Sequence, residues 1–113
     1  MADPIRGEVW PADLGTTRGH EQAGRRPVLV LSVDAFNASP AELVIVLPLT
    51  STIRNVPAHI RVNPPEGGLR LPSVILCDAI RSVTKNCLLS RWGPVTLATM
   101  ARVEDATRFL LGL

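Results

Sequence analysis

The residues best suited to chemistry in this chain are concentrated between positions 18 and 26. Arg26 ends this stretch directly before Pro27, and its permanently charged guanidinium offers a planar fork of donors that suits a phosphate. His20 has an ordinary pKa near neutrality, so it could transfer a proton, and Glu21 could accept one if desolvated. The stretch also holds Arg18, Gln22, Gly24 and Arg25. A plain hairpin turn does not need so many polar groups, so we predict a working site in this loop.

Strand-like runs on both sides must position this loop. Residues 8–14 begin with high strand propensity, and residues 28–31 form a continuous apolar run typical of a buried strand. Residues 43–49 are the most apolar segment, and we predict a central strand there, with Pro48 at its end or at a bulge. A polar loop carrying Arg54 is expected to follow.

The rest of the chain predicts further short strands and one helix. We expect one helical turn over 34–37, capped by Asp34, then a short strand over 58–62 and a turn over 63–68. Residues 73–78 and 80–84 should form two strands, or one strand interrupted near Ala79. A last strand is expected over 87–92. From position 97 a helical period begins, with Thr96 as the N-cap and Gly112 as the end. Its apolar face would comprise Leu97, Met100, Val103, Thr107, Leu110 and Leu111. This order indicates a mainly β protein with a C-terminal α-helix, built as a small, strongly bent antiparallel sheet or partial barrel.

Length and composition limit the possible functions. With 113 residues the chain is expected to be a single domain over 1–113, so any site must be built on the fold itself. Eleven of its 12 basic residues are arginines, and Lys85 is the exception, a bias that fits a nucleic-acid partner. No apolar run approaches the roughly 20 residues that cross a bilayer, and no signal peptide is recognisable, so we expect a cytoplasmic protein without a membrane partner.

Metal and cofactor sites are not expected from this sequence. Cys77 and Cys87 lack the spacing of a zinc motif, and His20 and His59 show no metal-ligand spacing. The chain also has no phosphate-binding glycine loop of the P-loop type and no Ser-His-Asp spacing. The chemistry is therefore expected to rest on side chains alone.

Several motifs together resemble the MazF/PemK family of toxin endoribonucleases. They are RGE at 6–8, GHEQ at 19–22, RPVLV at 26–30, LPLTS at 47–51 and SVILCD at 73–78. The resemblance covers nearly the whole chain. It implies an SH3-like partial barrel, related to the fold of the gyrase-poison toxins, and a homodimer. It also implies sequence-specific cleavage of single-stranded RNA by attack of its own 2′-hydroxyl, which would inhibit translation and growth.

The resemblance also assigns roles to particular residues. It places Arg26, and not Arg25, at the catalytic arginine, with Thr50 as the hydroxyl paired with it. Kid-type members of the family have a histidine and an aspartate that match His20 and Asp78, so these two, with Glu21, are candidates for proton transfer or base recognition. Those toxins carry an arginine where this chain has Leu76, which weakens that mechanism here. The RNA-binding residues would be Arg18, Gln22, Arg25, Ser51, Arg54 and Arg81. No metal or cofactor is implied.

The resemblance implies partners, and two other functions remain open. The partners would be single-stranded RNA, a second copy of the chain, and an antitoxin whose extended acidic tail occupies the RNA groove, with DNA contacted only through the toxin–antitoxin complex. The first alternative is a non-catalytic gyrase poison of similar fold, whose toxicity would survive alanine at Arg26 and Thr50. The second is an SH3-like nucleic-acid or peptide-binding module, which would bind RNA without cutting it.

Overall fold

The computed structural model describes residues 3–15 and 24–113, and within them the chain is mainly β with a C-terminal helix, as predicted. The strands are β1 (Glu8–Asp13), β2 (Arg25–Val30), β3 (Leu43–Thr50), β4 (His59–Val62), β5 (Ser73–Leu76), β6 (Arg81–Thr84) and β7 (Gly93–Pro94). The helices are α1 (Asp34–Asn37) and α2 (Leu97–Leu111), and short 3₁₀ helices occupy Glu66–Gly68, Cys77–Ala79 and Lys85–Cys87. The interruption predicted near Ala79 is the second of these 3₁₀ helices.

Strand β3 is the centre of the antiparallel sheet, as its apolar run predicts. The strands follow the order β4-β5-β3-β2-β1-β7, and β6 joins β3 beside this path. Along one edge β3 pairs with β6 as far as Val46 and with β5 from Leu49 onward, while its other edge pairs with β2. Pro48 lies where that first edge changes partner, so its missing N–H leaves no hydrogen bond unmade in either ladder.

The strands alternate between two apolar cores on opposite faces. One core packs Val9, Leu29, Leu47 and Leu49 against α2. The other is formed by Trp10, Ala12, Leu14, Val28, Val30, Val44, Val46, Val83 and Leu88. A bridge between Ala12 and Leu88 brings the chain after β6 back to β1, which closes the second core into a small barrel. Both cores follow from the period-two alternation of side chains along a strand.

Two predictions about local structure are wrong. Residues 87–92 do not form the last strand, which is the two-residue β7 instead. Leu89 N–H donates to the carbonyl of Pro11, but Pro11 has no N–H to return, so a regular ladder cannot develop there. Asp34 does not cap α1: the N-cap is Val33, without a side-chain cap, and the Asp34 carboxylate accepts from Arg6 N–H at 2.8 Å.

Helix α2 begins and ends where the sequence predicts, but its apolar face is only partly right. Thr96 caps the first turn by accepting from Thr99 N–H, and Gly112 ends the helix with a positive φ of 71°. The central residues Met100, Val103 and Thr107 are buried as expected, whereas Leu97, Leu110 and Leu111, which the prediction placed on the same face, are exposed. Neither helix in the described part of the chain is long and apolar enough to span a membrane.

The start of α2 is tied to the rest of the fold by one carboxylate. Glu66 Oε2 accepts from Thr96 N–H at 2.9 Å and from the hydroxyls of Thr96 and Thr99. Burial is the largest single influence on the Glu66 pKa and raises it, but these hydrogen bonds and the charge of Arg102 together lower it below its ordinary value of 4.5. A negative charge beside a helix N-terminus also complements the helix dipole.

Glu66→Gln should therefore destabilise the protein at neutral pH by about 1 to 2 kcal/mol, because an ionised acceptor of several hydrogen bonds is lost. The folded pKa lies below the unfolded one, so the contribution of Glu66 is complete above the unfolded pKa and disappears as pH falls through the folded pKa. Urea unfolding from pH 7 to pH 3 would measure this. A constant difference in the free energy of unfolding across that range would contradict the role of the Glu66 charge.

Candidate active site

Arg26 and Thr50 lie across from each other at the neighbouring ends of β2 and β3. The register between these strands pairs Val28 with Pro48, and continuing it by two residues places Arg26 opposite Thr50. Residues directly opposite in an antiparallel pair point to the same face and are about 5 Å apart. Both residues are partly exposed, at the open end of the barrel core. The two residues predicted to be catalytic are thus neighbours in the fold.

Pro27 explains why the β2–β3 ladder ends at this point. Pro27 faces Pro11 across the β1–β2 pair, so this pair has no donor and must be a non-hydrogen-bonded one. The backbone nitrogen of Pro27 then points toward β3, but it carries no hydrogen to donate. The β2–β3 ladder ends at Val28 and Pro48, one residue earlier. Arg26 and Thr50 are therefore held in register without being joined by a backbone ladder.

Strand β1 holds the backbone of Arg26 on the side away from β3. Arg26 pairs with Ala12 of β1, and the hairpin continues beyond the strands because Leu14 N–H donates to Gly24 O at 2.9 Å. A residue before proline is also restricted to extended backbone. Arg25 pairs with Asp13 and points to the opposite face, where it is exposed. The structure thus separates the two adjacent arginines and gives only Arg26 the face of Thr50.

Thr50 connects β3 to the polar loop that follows. Its hydroxyl oxygen accepts from Thr52 N–H at 3.1 Å, which orients the side chain and leaves the hydroxyl hydrogen for another acceptor. Ser51 and Arg54 lie in the same loop and are exposed. This arrangement can present a hydroxyl donor and a guanidinium to one phosphate.

Other predicted site residues are distributed differently. Arg18, His20, Glu21 and Gln22 lie outside the described residues. Arg81 is opposite Val46 and so shares the face of Thr50 farther along β3, where it is partly buried. Asp78 follows the far end of β5, whereas Thr50 is opposite Val74 near its start. Asp78 is thus four residues along the chain from the position opposite Thr50, beyond the end of β5.

Asp78 instead borders a groove of about 420 Å³. The groove is lined by Arg54, Val56, Pro57, Ala58, His59, Asp78, Ala106, Phe109 and Leu110. His59 Nε2 is 3.7 Å from Asp78 Oδ1, too long for a hydrogen bond, and His59 Nδ1 is buried without a partner among the described residues. The neighbouring Cys77 thiol is not a nucleophile at neutral pH, because burial, and secondarily the Asp78 charge, raises its pKa to about 11.

Some arginines of the described residues have a carboxylate partner and others have none. Three arginines are paired with carboxylates, namely Arg6 with Glu104, Arg91 with Glu8 and Arg108 with Asp105. Within residues 3–15 and 24–113, Arg25, Arg54 and Arg61 have no such ion pair. Arg61 is not among the site residues that the sequence predicts. The alternation of Ile60 and Val62 into the core could have revealed that it faces the other way.

Metal chemistry has no evident donor set in the part of the chain that is described. No group of three or more histidine, cysteine, aspartate or glutamate side chains there could hold an ion. The arrangement at Arg26 and Thr50 offers a guanidinium and a hydroxyl as donors to an anion.

Comparison with known proteins relates this arrangement to one family. The sequence pattern described as "PemK-like, MazF-like toxin of type II toxin-antitoxin system" matches residues 5–111. Endoribonuclease MazF9 of Mycobacterium tuberculosis is 34% identical, with 96% of each chain covered. Endoribonuclease EndoA of Bacillus subtilis is 33% identical, with 96% of this chain and 94% of the relative covered.

Solved structures share the fold over its full length. MazF from Deinococcus radiodurans superimposes with a TM-score of 0.87 at 28% identity, covering 100% of both chains. A mycobacterial endoribonuclease in complex with its cognate antitoxin gives a TM-score of 0.81 at 32% identity, covering 97% of this chain and 96% of the other. These likenesses agree with the SH3-like fold class that the sequence resemblance implied.

Pro27→Ala tests why the β2–β3 ladder ends at Val28 and Pro48. The substitution supplies a backbone donor directed toward β3, so the ladder should extend by one bond and draw Arg26 and Thr50 together. We expect the new amide at position 27 to exchange slowly with deuterium in a folded protein, by NMR. Exchange as fast as that of an exposed loop amide would show that something other than the missing donor separates the strands.

Proposed function

The chain belongs to the PemK-like, MazF-like toxin family of type II toxin–antitoxin systems, and from this premise we propose that Arg26 and Thr50 form its RNA-cleaving centre. The chain is an endoribonuclease toxin of that family, as its curated relatives are. The observation that carries the proposal is the placement of Arg26 opposite Thr50, on one face, beyond the last rung of the β2–β3 ladder. A phosphate can enter there from solvent and meet both side chains.

Arg26 stabilises the charge that develops during cleavage. When the 2′-hydroxyl of RNA attacks the adjacent phosphorus, negative charge accumulates on the non-bridging oxygens. The Arg26 guanidinium presents two parallel donors to these oxygens, and its backbone is already fixed by Ala12 and Pro27. Little reorganisation is then needed as the transition state forms.

Thr50 orients the reacting phosphate. Its hydroxyl is held by the Thr52 amide and donates to a phosphate oxygen on the side opposite Arg26. With donors on two sides, the phosphorus is held so that the 2′-oxygen and the leaving 5′-oxygen are in line. The products are a 2′,3′-cyclic phosphate, or the 3′-phosphate formed from it, and a 5′-hydroxyl end.

The proton transfers require groups other than these two. Arginine remains protonated near neutrality, so Arg26 is a poor general base. Asp78 lies beyond the end of β5, whereas Thr50 pairs near its start. We assign the transfers to His20 or Glu21 of the loop between β1 and β2, and base recognition to Asp78. No metal ion or cofactor takes part.

The rival functions have less support. The curated relatives named above are endoribonucleases, which does not favour a gyrase poison. A binding module without catalysis would have no use for a hydroxyl and a guanidinium placed as neighbours on one face, beyond the last rung of the β2–β3 ladder.

The partners in this proposal are RNA, a second copy of the chain and an antitoxin. One solved relative is in complex with its cognate antitoxin, and MazF of Deinococcus radiodurans was solved as MazE-MazF. An acidic antitoxin tail fits the arginines that lack carboxylate partners, and DNA would be contacted only through that complex. A cytoplasmic location follows from the RNA substrate.

The end of α2 supplies a surface for the second copy. Phe109 and Leu113 are each 84% exposed, and Leu110 and Leu111 beside them are also exposed. Several large apolar side chains at one helix end are unusual on a free monomer and typical of a subunit interface.

Arg26→Ala and Thr50→Ala should each reduce single-turnover cleavage of a long unstructured RNA in excess EDTA, by roughly 100- to 1,000-fold for the arginine. The loss follows from removing a donor to the charged transition state. Mapping of 5′ ends should give 5′-hydroxyl cuts at one short recurring sequence in the wild type. Arg25→Ala is the matched comparison and should lose much less activity than Arg26→Ala, because its side chain faces away from Thr50 and can contribute only to RNA binding.

Intact RNA after incubation with folded wild-type protein would overturn the nuclease assignment. Equal losses in Arg25→Ala and Arg26→Ala would instead contradict the assignment of catalysis to the face shared with Thr50.

Phe109→Asp should convert the proposed homodimer to a monomer, because a carboxylate would be buried in an apolar interface. Sedimentation equilibrium at micromolar concentration measures the change. Val33→Asp is the control, since Val33 is 58% exposed and lies outside α2. A dimer that persists in Phe109→Asp would place the interface elsewhere.

A further inference from the structure

Arg61 belongs to the same cross-strand row as the catalytic pair. The row begins with Arg26 and Thr50, continues with Val74, which pairs with Thr50, and ends with Arg61, which pairs with Val74. Directly opposite residues share a face, so Thr50, Val74 and Arg61 all point away from the α2 core. Their neighbours Ile60, Val62 and Ile75 confirm this, because they are buried in that core.

The Arg61 side chain is available for an anion. Arg61 is exposed, and its one hydrogen bond within the described chain runs from Nε to Asn63 Oδ1, at 3.1 Å. That bond holds one edge of the guanidinium and leaves the terminal nitrogens for a ligand. No carboxylate of the described residues neutralises it. A side chain fixed at one edge loses less conformational entropy when it binds.

The distance suits a neighbouring phosphate rather than the scissile one. Two strand spacings separate Thr50 from Arg61, or about 10 Å between Cα atoms. The bond from its Nε to Asn63 holds the Arg61 guanidinium on the β4 side of that separation, so it faces a phosphate other than the one that Arg26 and Thr50 hold. It can reach a phosphate farther along a strand that crosses the sheet from β2 toward β4.

We propose that Arg61 binds an RNA backbone phosphate next to the cleaved site, so that the RNA runs from Arg26 and Thr50 toward Arg61 and passes over the residues that bury Val74. This inference rests on the proposed function. It adds a substrate-binding residue on β4 and a direction for the bound strand, perpendicular to β3. Because the contact is to the backbone, it adds affinity without base selectivity.

The test compares Arg61→Gln with Arg102→Gln, which removes the same charge from an exposed position on α2. The probe is an oligoribonucleotide carrying a sequence that the wild-type protein cuts, with 2′-deoxyribose at the attacking nucleotide so that it binds without reacting. The affinity of each protein is measured from 50 to 300 mM KCl.

Arg61→Gln should bind about two- to fivefold more weakly at low salt, and the slope of log affinity against log salt should be shallower by about 0.7. Arg61→Lys should restore the slope.

A second measurement locates the phosphate. Neutral methylphosphonates replace one phosphate of the probe at a time, and one position outside the scissile phosphate should weaken binding to the wild type but not to Arg61→Gln. Equal salt slopes in the wild type and Arg61→Gln, or equal changes in Arg61→Gln and Arg102→Gln, would overturn the role of Arg61 while leaving cleavage assigned. Absence of any cleavage by the wild-type protein would overturn the proposed function itself.

Discussion

The register of β3 with its neighbours is the constraint on which this structure depends. β3 pairs with β2 on one edge and with β5 and β6 on the other, so a slip of one residue would turn every side chain to the wrong face. The same register that buries Leu47 and Leu49 against α2 places Thr50 beside Arg26. Core packing and the position of the candidate catalytic pair are therefore not independent. The packing that stabilises the core also keeps Thr50 beside Arg26.

Two prolines influence the position of the site because they cannot donate a backbone hydrogen bond. Pro27 and Pro48 lack amide hydrogens at the two places where ladders of β3 end or change partner. Isolated ladder defects normally weaken a sheet, but here both are flanked by fully buried residues such as Leu29 and Leu47. The packing compensates for the missing bonds, and the β2–β3 ladder ends before it reaches Arg26 and Thr50.

The sequence predicts much of the fold because its signals are local. Short apolar runs rich in branched residues predict the main strands, and Thr96 with Gly112 predicts both ends of α2. The errors arise where a distant residue decides the structure. Pro11 prevents a regular strand over 87–92, and Arg6 engages the Asp34 carboxylate that would otherwise cap α1. The site follows the same division: the resemblance names Arg26 and Thr50, but Arg61 joins them only through strand pairings that no local pattern contains.

The central claim is that Arg26 and Thr50 act on one phosphate, and a double-mutant cycle on single-turnover RNA cleavage tests it most directly. Two groups that act as a unit are strongly non-additive, so the variant lacking both should be about as slow as the slower single variant. If the two losses simply multiply, the residues act independently, and the account of a shared phosphate between β2 and β3 is wrong.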